Sequence, residues 1–220
     1  MSRHLYTFFR SSTSFRLRIA LNYKGLDYEP HYVSLPKMEH RDPAFTKLNP
    51  QGLVPLLIDG DHSYIQSMAI IEYLDEAYPN PPLIPKDIHA RSYVRAVSQI
   101  IGCEMHPLNN VRVLKHIKAQ FGADEAATKA WYAHWIKEGF TGLEDYMKRS
   151  GLAGQYCYGD SITMADICLV PQVANAQRFD CDLSPYPLVT AIAGKAAGTF
   201  PVPITIVPGN LDEATIRAVA

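Results

Sequence analysis

Three short stretches of this chain carry side chains whose types and spacing suit the holding of an anion. The first is Arg10-Ser11-Ser12-Thr13-Ser14, four hydroxyl residues behind an arginine, just ahead of the helical spacing of Leu17, Ala20 and Leu21. A helix start leaves about four backbone N–H groups unpaired and carries roughly half a positive charge. One Ser or Thr is enough for an N-cap. A run of four therefore reads either as caps and turns or as an anion site built from N–H and hydroxyl donors. The second stretch is Asn49-Pro50-Gln51-Gly52-Leu53-Val54-Pro55, which leads into a β-prone segment. A proline at a strand start can take the cis form, turning the Val54 backbone outward to pair with an extended peptide. The third is Gln66-Ser67 at the head of another helix, where Ser67 is either a plain N-cap or a second anion site. Two helix starts flanking a free strand edge make a slot for a small peptide with an anionic end and a second anionic atom close by.

The elements that must hold these residues follow from hydrophobic periodicity. His4 to Phe9 is β-prone, and the helix after it stops at Gly25, with Arg16 and Arg18 offset from its buried face. Tyr28 to Leu35 reads as a second strand, which Pro30 assigns to an edge or a strand start. Two β-prone runs around Asp59-Gly60-Asp61 predict a hairpin, followed by a helix from Ser67 to Tyr78 with Met68, Ile71, Leu74 and Asp75 toward one side. The β-α-β order predicts a parallel pair with a right-handed crossover. Residues 79–87 carry four prolines and read as a linker. Beyond it the pattern is helical over Ile88–Gln120, Asp124–Ser150 and Thr163–Arg178, with a short last helix in Pro185–Gly198. The expected organisation is an α/β domain over 1–80 followed by an all-α domain over 88–220.

Composition narrows the function. The chain has 220 residues, 47% apolar and 20% charged, with a formal net charge of -1. That balance gives no global field to recruit nucleic acid or an anionic membrane. No apolar run approaches the roughly 20 residues of a membrane span, and the N-terminus lacks the pattern of a signal peptide. The four cysteines form no CxxC pair, so a cytosolic protein with reduced thiols is expected. The eight histidines show no HxxxH or HxH spacing, and no metal site is expected. Ser161, Thr163 and Asp166 read as a capping box that serves folding, and Trp131, Trp135 and Phe140 as core.

The stretches RSSTSFRLRIAL, LNPQGLVP, IQSMAIIEYLDEAYP, MHPLNN and GDSITMADICLVPQVANAQRFDCDLSPYP resemble the zeta class of glutathione S-transferases, in particular its maleylacetoacetate and maleylpyruvate isomerases. The resemblance runs from about Leu5 to about Leu188. It implies a thioredoxin-like N-terminal domain that binds glutathione, a helical C-terminal domain that completes the substrate pocket, and a cytoplasmic homodimer. By motif, Ser11, Ser12 and Thr13 would face the glutathione sulfur, Val54 would pair with its cysteine, and Gln66 and Ser67 would hold the γ-glutamyl carboxylate. His40 would reach the glycine carboxylate, while His106 and Asn110 lie in a stretch that lines the family's site. His106 reads equally as a buried, satisfied histidine. Zeta enzymes commonly carry Ser-Ser-Cys where this chain has Thr13, so glutathione would bring the only sulfur to the chemistry.

The implied reaction is addition of the thiolate to the cis double bond of a maleyl keto-acid, rotation, and expulsion to leave the fumaryl isomer. Both carboxylates of such a substrate suit arginine, with Arg10 first, then Arg178 and Arg112. For each, a solvated surface role is the alternative. Two other functions fit the same residues: a broad glutathione transferase or dehalogenase acting on α-halo acids, and a transferase-like module that only binds partners.

Overall fold

The computed structural model describes residues 2–200, so the expectations for the chain beyond Phe200 lie outside the described residues. The molecule divides into two compact units between Leu83 and Ile84, the second ending at Thr199. No helix among the described residues is long and apolar enough to cross a membrane.

The first unit runs β1 (Arg3–Thr7), α1 (Ser12–Tyr23), β2 (Glu29–Tyr32), a tight turn at Glu39–Arg41, α2 (Pro43–Leu48), β3 (Leu56–Asp59), β4 (His62–Ile65) and α3 (Ser67–Ala77). Among the described residues its strands form one sheet in the order β2-β1-β3-β4, with β1 and β2 parallel and the other pairs antiparallel. This is the thioredoxin-like arrangement. Pro30 sits on the edge strand, where a missing N–H is tolerated. Leu5, Leu17, Ala20, Leu21, Ile70, Ile71 and Leu74 are fully buried, and each large one contributes about 1.5–3 kcal/mol. The buried face of α3 is Ser67, Ile70, Ile71 and Leu74, so Ile71 and Leu74 lie inward as predicted while Ser67 and Ile70 take the places expected of Met68 and Asp75. The predicted Tyr28–Leu35 strand is shorter than expected, and Phe8 and Phe9 belong to a loop rather than to β1.

The second unit contains α4 (Ile88–Gln99), a wide π turn at Ile100–Met105, α5 (His106–Leu108), α6 (Val111–Phe121), α7 (Glu125–Ser150), α8 (Met164–Arg178) and α9 (Pro187–Thr199). The predicted helix over 88–120 is therefore broken. Pro107 has no N–H and its ring excludes the carbonyl one turn back, so the backbone widens ahead of it. The wide turn needs Gly139 opposite, since a Cβ there would lie 2.0 Å from Met105 Cγ. Asn110 then restarts the chain as the N-cap of α6, accepting from Arg112 N–H at 3.1 Å. Trp131 and Trp135 are half-buried rather than core, and Trp131 Nε1 donates to Leu108 O at 2.9 Å. The core of α7 is Tyr132, Ile136, Phe140 and Leu143.

Asp166 does the folding work that its position implies. It is fully buried and accepts from Cys157 N–H (2.7 Å), Thr163 N–H (2.8 Å) and the Thr163 hydroxyl (2.9 Å). Burial pushes its carboxyl above the usual range, against the pull of those donors. Asp166→Ala leaves three buried donors without an acceptor and is expected to cost about 3 kcal/mol or more, lowering Tm by roughly 6 °C or more in thermal unfolding. A change of a degree or less would remove this cap from the account of stability.

Candidate functional site

In the first unit, the three stretches singled out from sequence close into a ring. Ser11 is the N-cap of α1 and accepts from Ser14 N–H at 3.2 Å. Ser14 in turn accepts from Phe8 N–H at 3.4 Å, fixing the loop before the helix. The Thr13 hydroxyl donates to the Val54 carbonyl at 3.1 Å, which joins the first turn of α1 to the edge leading into β3. Thr13 has one proton, already given to Val54, so Ser11 donates in the 2.9 Å contact between the two hydroxyls. Val54-Pro55 is cis.

The loop before Val54 is organised by Asn49, whose amide donates to Leu53 O at 2.7 Å and whose side-chain oxygen accepts from Gln51 N–H at 3.0 Å. Gly52 has φ +58, and a Cβ on it would lie 2.8 Å from His40 O, so the His40 turn packs against this loop only if residue 52 is glycine. Gln51 then accepts from Gln66 Nε2 at 2.8 Å, reaching the head of α3.

At that head, Gln66 sits at φ 68, ψ 112, and no side-chain hydrogen bond caps the helix. Ser67 accepts from Arg16 Nη1 at 3.3 Å. Arg16 is 1% exposed, and its Nε and Nη2 have no partner among the described residues. Arg16 lies one turn after Thr13 on the same face of α1, which closes the ring. The expectation that Arg16 and Arg18 lie off the buried face is corrected: both are buried. Arg18 donates to the Thr7 hydroxyl (3.0 Å), Phe8 O (3.4 Å) and Phe9 O (3.1 Å), and burial lowers its pKa to about 10. Sequence reasoning missed Arg16, Asn49 and Gln51. The spacing of Arg16 from Thr13 was the one local signal for it.

The remaining candidates are placed as follows. Ser12 is buried in the first turn of α1 and His40 is half-buried. Arg10 is exposed, with its guanidinium 5.3 Å from the Phe9 ring centre. In the second unit, His106 Nε2 lies 3.5 Å from Asn110 Nδ2, and Arg112 and Arg178 are exposed. Arg178 stands over the Phe179 ring at 5.3 Å.

Residues 5–82 match the glutathione S-transferase N-terminal domain. The chain is 52% identical over 188 residues to a maleylpyruvate isomerase from Ralstonia sp, covering 86% of this chain and 89% of that one. It is also 50% identical to a solved maleylpyruvate isomerase described as a bacterial glutathione S-transferase of the zeta class. That match has a TM-score of 0.86 and covers 89% of this chain and 92% of the other. The chain belongs to the zeta-class glutathione S-transferases. A maleylacetoacetate isomerase from Methylobacterium extorquens AM1, solved with bound malonate and GSH, matches with a TM-score of 0.86 at 32% identity, over 95% of this chain and all of that one.

The zeta-class chain thus holds the head of α3 in a backbone conformation that glycine takes freely and glutamine does not. Such outliers cost about 1–3 kcal/mol and concentrate at functional sites. Gln66→Gly is expected to raise Tm by roughly 2–4 °C in thermal unfolding. An unchanged or lower Tm would mean that any strain at residue 66 is no larger than the lost Gln51 contact and the greater freedom of the unfolded chain together.

Proposed function

We propose that this zeta-class protein is a glutathione-dependent cis–trans isomerase of maleyl keto-acids, either maleylacetoacetate or maleylpyruvate. The observation that carries this reading is the polar seam of α1, where Thr13 reaches Val54 and Arg16, one turn on, reaches Ser67. One helix thereby sets both ends of a slot for a short peptide. The unpaired N–H groups of buried Arg16 and the uncapped start of α3 fit a carboxylate, and the γ-glutamyl group of glutathione has one. In this reading Gln66 and Ser67 hold that carboxylate and Val54 pairs with the tripeptide's backbone. His40 holds its glycine end, and Ser11, Ser12 and Thr13 receive the sulfur.

When bound, glutathione supplies a thiol that ionises and adds reversibly to a carbon–carbon double bond, letting the bond turn from cis to trans. The chain's task is to keep that sulfur anionic. A thiol near pKa 8.5 is mostly protonated at neutral pH, and lowering it by about two units requires about 2.7 kcal/mol. A hydroxyl is a rotor, so Ser11 can turn its proton from Thr13 Oγ1 to an anion while its oxygen stays anchored by Ser14 N–H. One charge-assisted hydrogen bond at about 1.5–3 kcal/mol and a helix start at about 0.3–1 kcal/mol together reach the amount needed. No general base is required. Arg10, exposed beside this helix start, takes a substrate carboxylate. We also propose a cytoplasmic homodimer, which the family resemblance supports.

The deciding experiment supplies each maleyl keto-acid with and without glutathione and follows both the cis-to-trans change and total glutathione. Isomerisation leaves glutathione undiminished. Its depletion into a lasting conjugate would favour the transferase or dehalogenase reading, and turnover without it would overturn the proposal. Ser11→Ala with Thr13→Ala is expected to move the acid limb of the kcat/KM profile up by about one unit, from about 6.5 to about 7.5, and cut activity at pH 7 roughly threefold. An unmoved limb would remove the hydroxyls from thiolate stabilisation. Arg16→Met is expected to weaken glutathione binding by about tenfold or more in calorimetry without lowering Tm, because it removes a buried charge along with its unpaired donors. Unchanged affinity would place the γ-glutamyl carboxylate elsewhere.

A further inference from the structure

We propose that His4, Glu29 and His31 form a binding site for a divalent transition-metal ion of the zinc type, separate from the helix-start slot. The register of the parallel pair β1–β2 creates it. His4 is paired with Glu29 and Tyr6 with His31, and strand alternation puts all four side chains on one face. His4 Nδ1 lies 3.0 Å from His31 Nε2 and 3.3 Å from Glu29 Oε2, and His31 Nε2 lies 3.6 Å from Glu29 Oε1. Ligand atoms about 2.0–2.1 Å from a tetrahedral ion stand about 3.3–3.4 Å from one another; the His4–His31 and His4–Glu29 separations lie at or just below that value, and with one ligand atom from each residue all three lie within 4.8 Å of one another.

The donor chemistry agrees with the geometry. Two imidazole nitrogens and one carboxylate are a borderline set that suits zinc and its neighbours rather than calcium or magnesium. Tyr6 stacks on the His31 ring with centroids 4.8 Å apart, which orients that ligand. The His4 and His31 side chains are about a third exposed and Glu29 more so, leaving an entry path and a fourth position for water. The histidines are 27 residues apart in sequence, so no local spacing reveals the site. Because the donors meet only in the folded sheet, an ion there clips the edge strand β2 to β1 and stabilises the native state.

The test uses the untagged full chain, stripped with a chelator and kept free of glutathione, which itself binds zinc. Cobalt(II) titration is expected to give one ion per chain with the visible d–d absorption of four-coordinate cobalt. Zinc is expected to raise Tm by on the order of 5 °C at a concentration one hundred times its Kd. The double variant His4→Gln, His31→Gln is expected to abolish both signals, and Glu29→Gln, at an exposed position, to raise Kd at least about tenfold. His116→Gln and Cys103→Ser, changes at exposed sites outside the cluster, are expected to retain the ion. Binding that survives the double variant, binding lost with Cys103, or no stoichiometric binding at all would each overturn the site and leave the two rings as a hydrogen-bonded pair.

Discussion

A guanidinium is costly to bury unless its N–H groups find acceptors, and α1 buries two of them. Arg18 resolves the cost inward: it gathers the Thr7 hydroxyl and the carbonyls of Phe8 and Phe9. With those carbonyls drawn toward Arg18, the loop delivers Arg10 and Ser11 at a fixed angle to the helix start. Arg16 resolves the cost only in part, through Ser67. The two charges divide the labour, one holding the loop that carries Arg10 and Ser11 and the other standing under the head of α3. The rest of the ring, through Gln51, Gln66, Val54 and Thr13, joins segments that this pair has already brought into place.

The structural roles of the hydroxyl run leave room for the proposed anion site. Ser11 is a true N-cap, Thr13 ties the first turn to Val54 and Ser14 holds the preceding loop, so three of the four hydroxyls make structural bonds. In the proposed function the cap and the anion donor are the same group, because Ser11 accepts with its oxygen and still has a proton to aim. Preorganisation follows from that economy: the donor's position is set by folding, and only a hydroxyl rotation separates its resting partner from an incoming anion.

The β-α-β-hairpin-α order was legible because its signals are local: alternation, the Asp59-Gly60 turn, Gly25 after α1, and Pro30 on an edge. The candidate residues Ser11, Val54 and Ser67 were legible for the same reason, since caps and pre-proline positions announce themselves in a few residues. Arg16 was not. A charged residue at helical spacing reads as solvated, and only the packing of α3 on α1 shows it buried. His4, Glu29 and His31 were hidden by strand register, which no spacing rule within one segment can see. The break in the long helix was different. Pro107 marked it in the sequence, and the apolar periodicity on either side outweighed that mark.

The head of α3 is held in a state that folding alone does not favour. A carboxylate beside Arg16 would satisfy it, but a satisfied arginine offers nothing to an incoming anion. Its neighbour is instead a neutral serine hydroxyl, and two of its nitrogens have no partner among the described residues. Each unpaired buried donor costs about 1–3 kcal/mol, as does the backbone of Gln66. Those costs are tolerable only where the surrounding core is secure, and here Ile70, Ile71 and Leu74 lie fully buried directly behind the strained turn. Free energy withheld from the fold at Arg16 and the open helix start becomes available to a carboxylate that pairs with them. On this argument, affinity for an anionic peptide end and the local instability of α3 are one quantity seen from two sides.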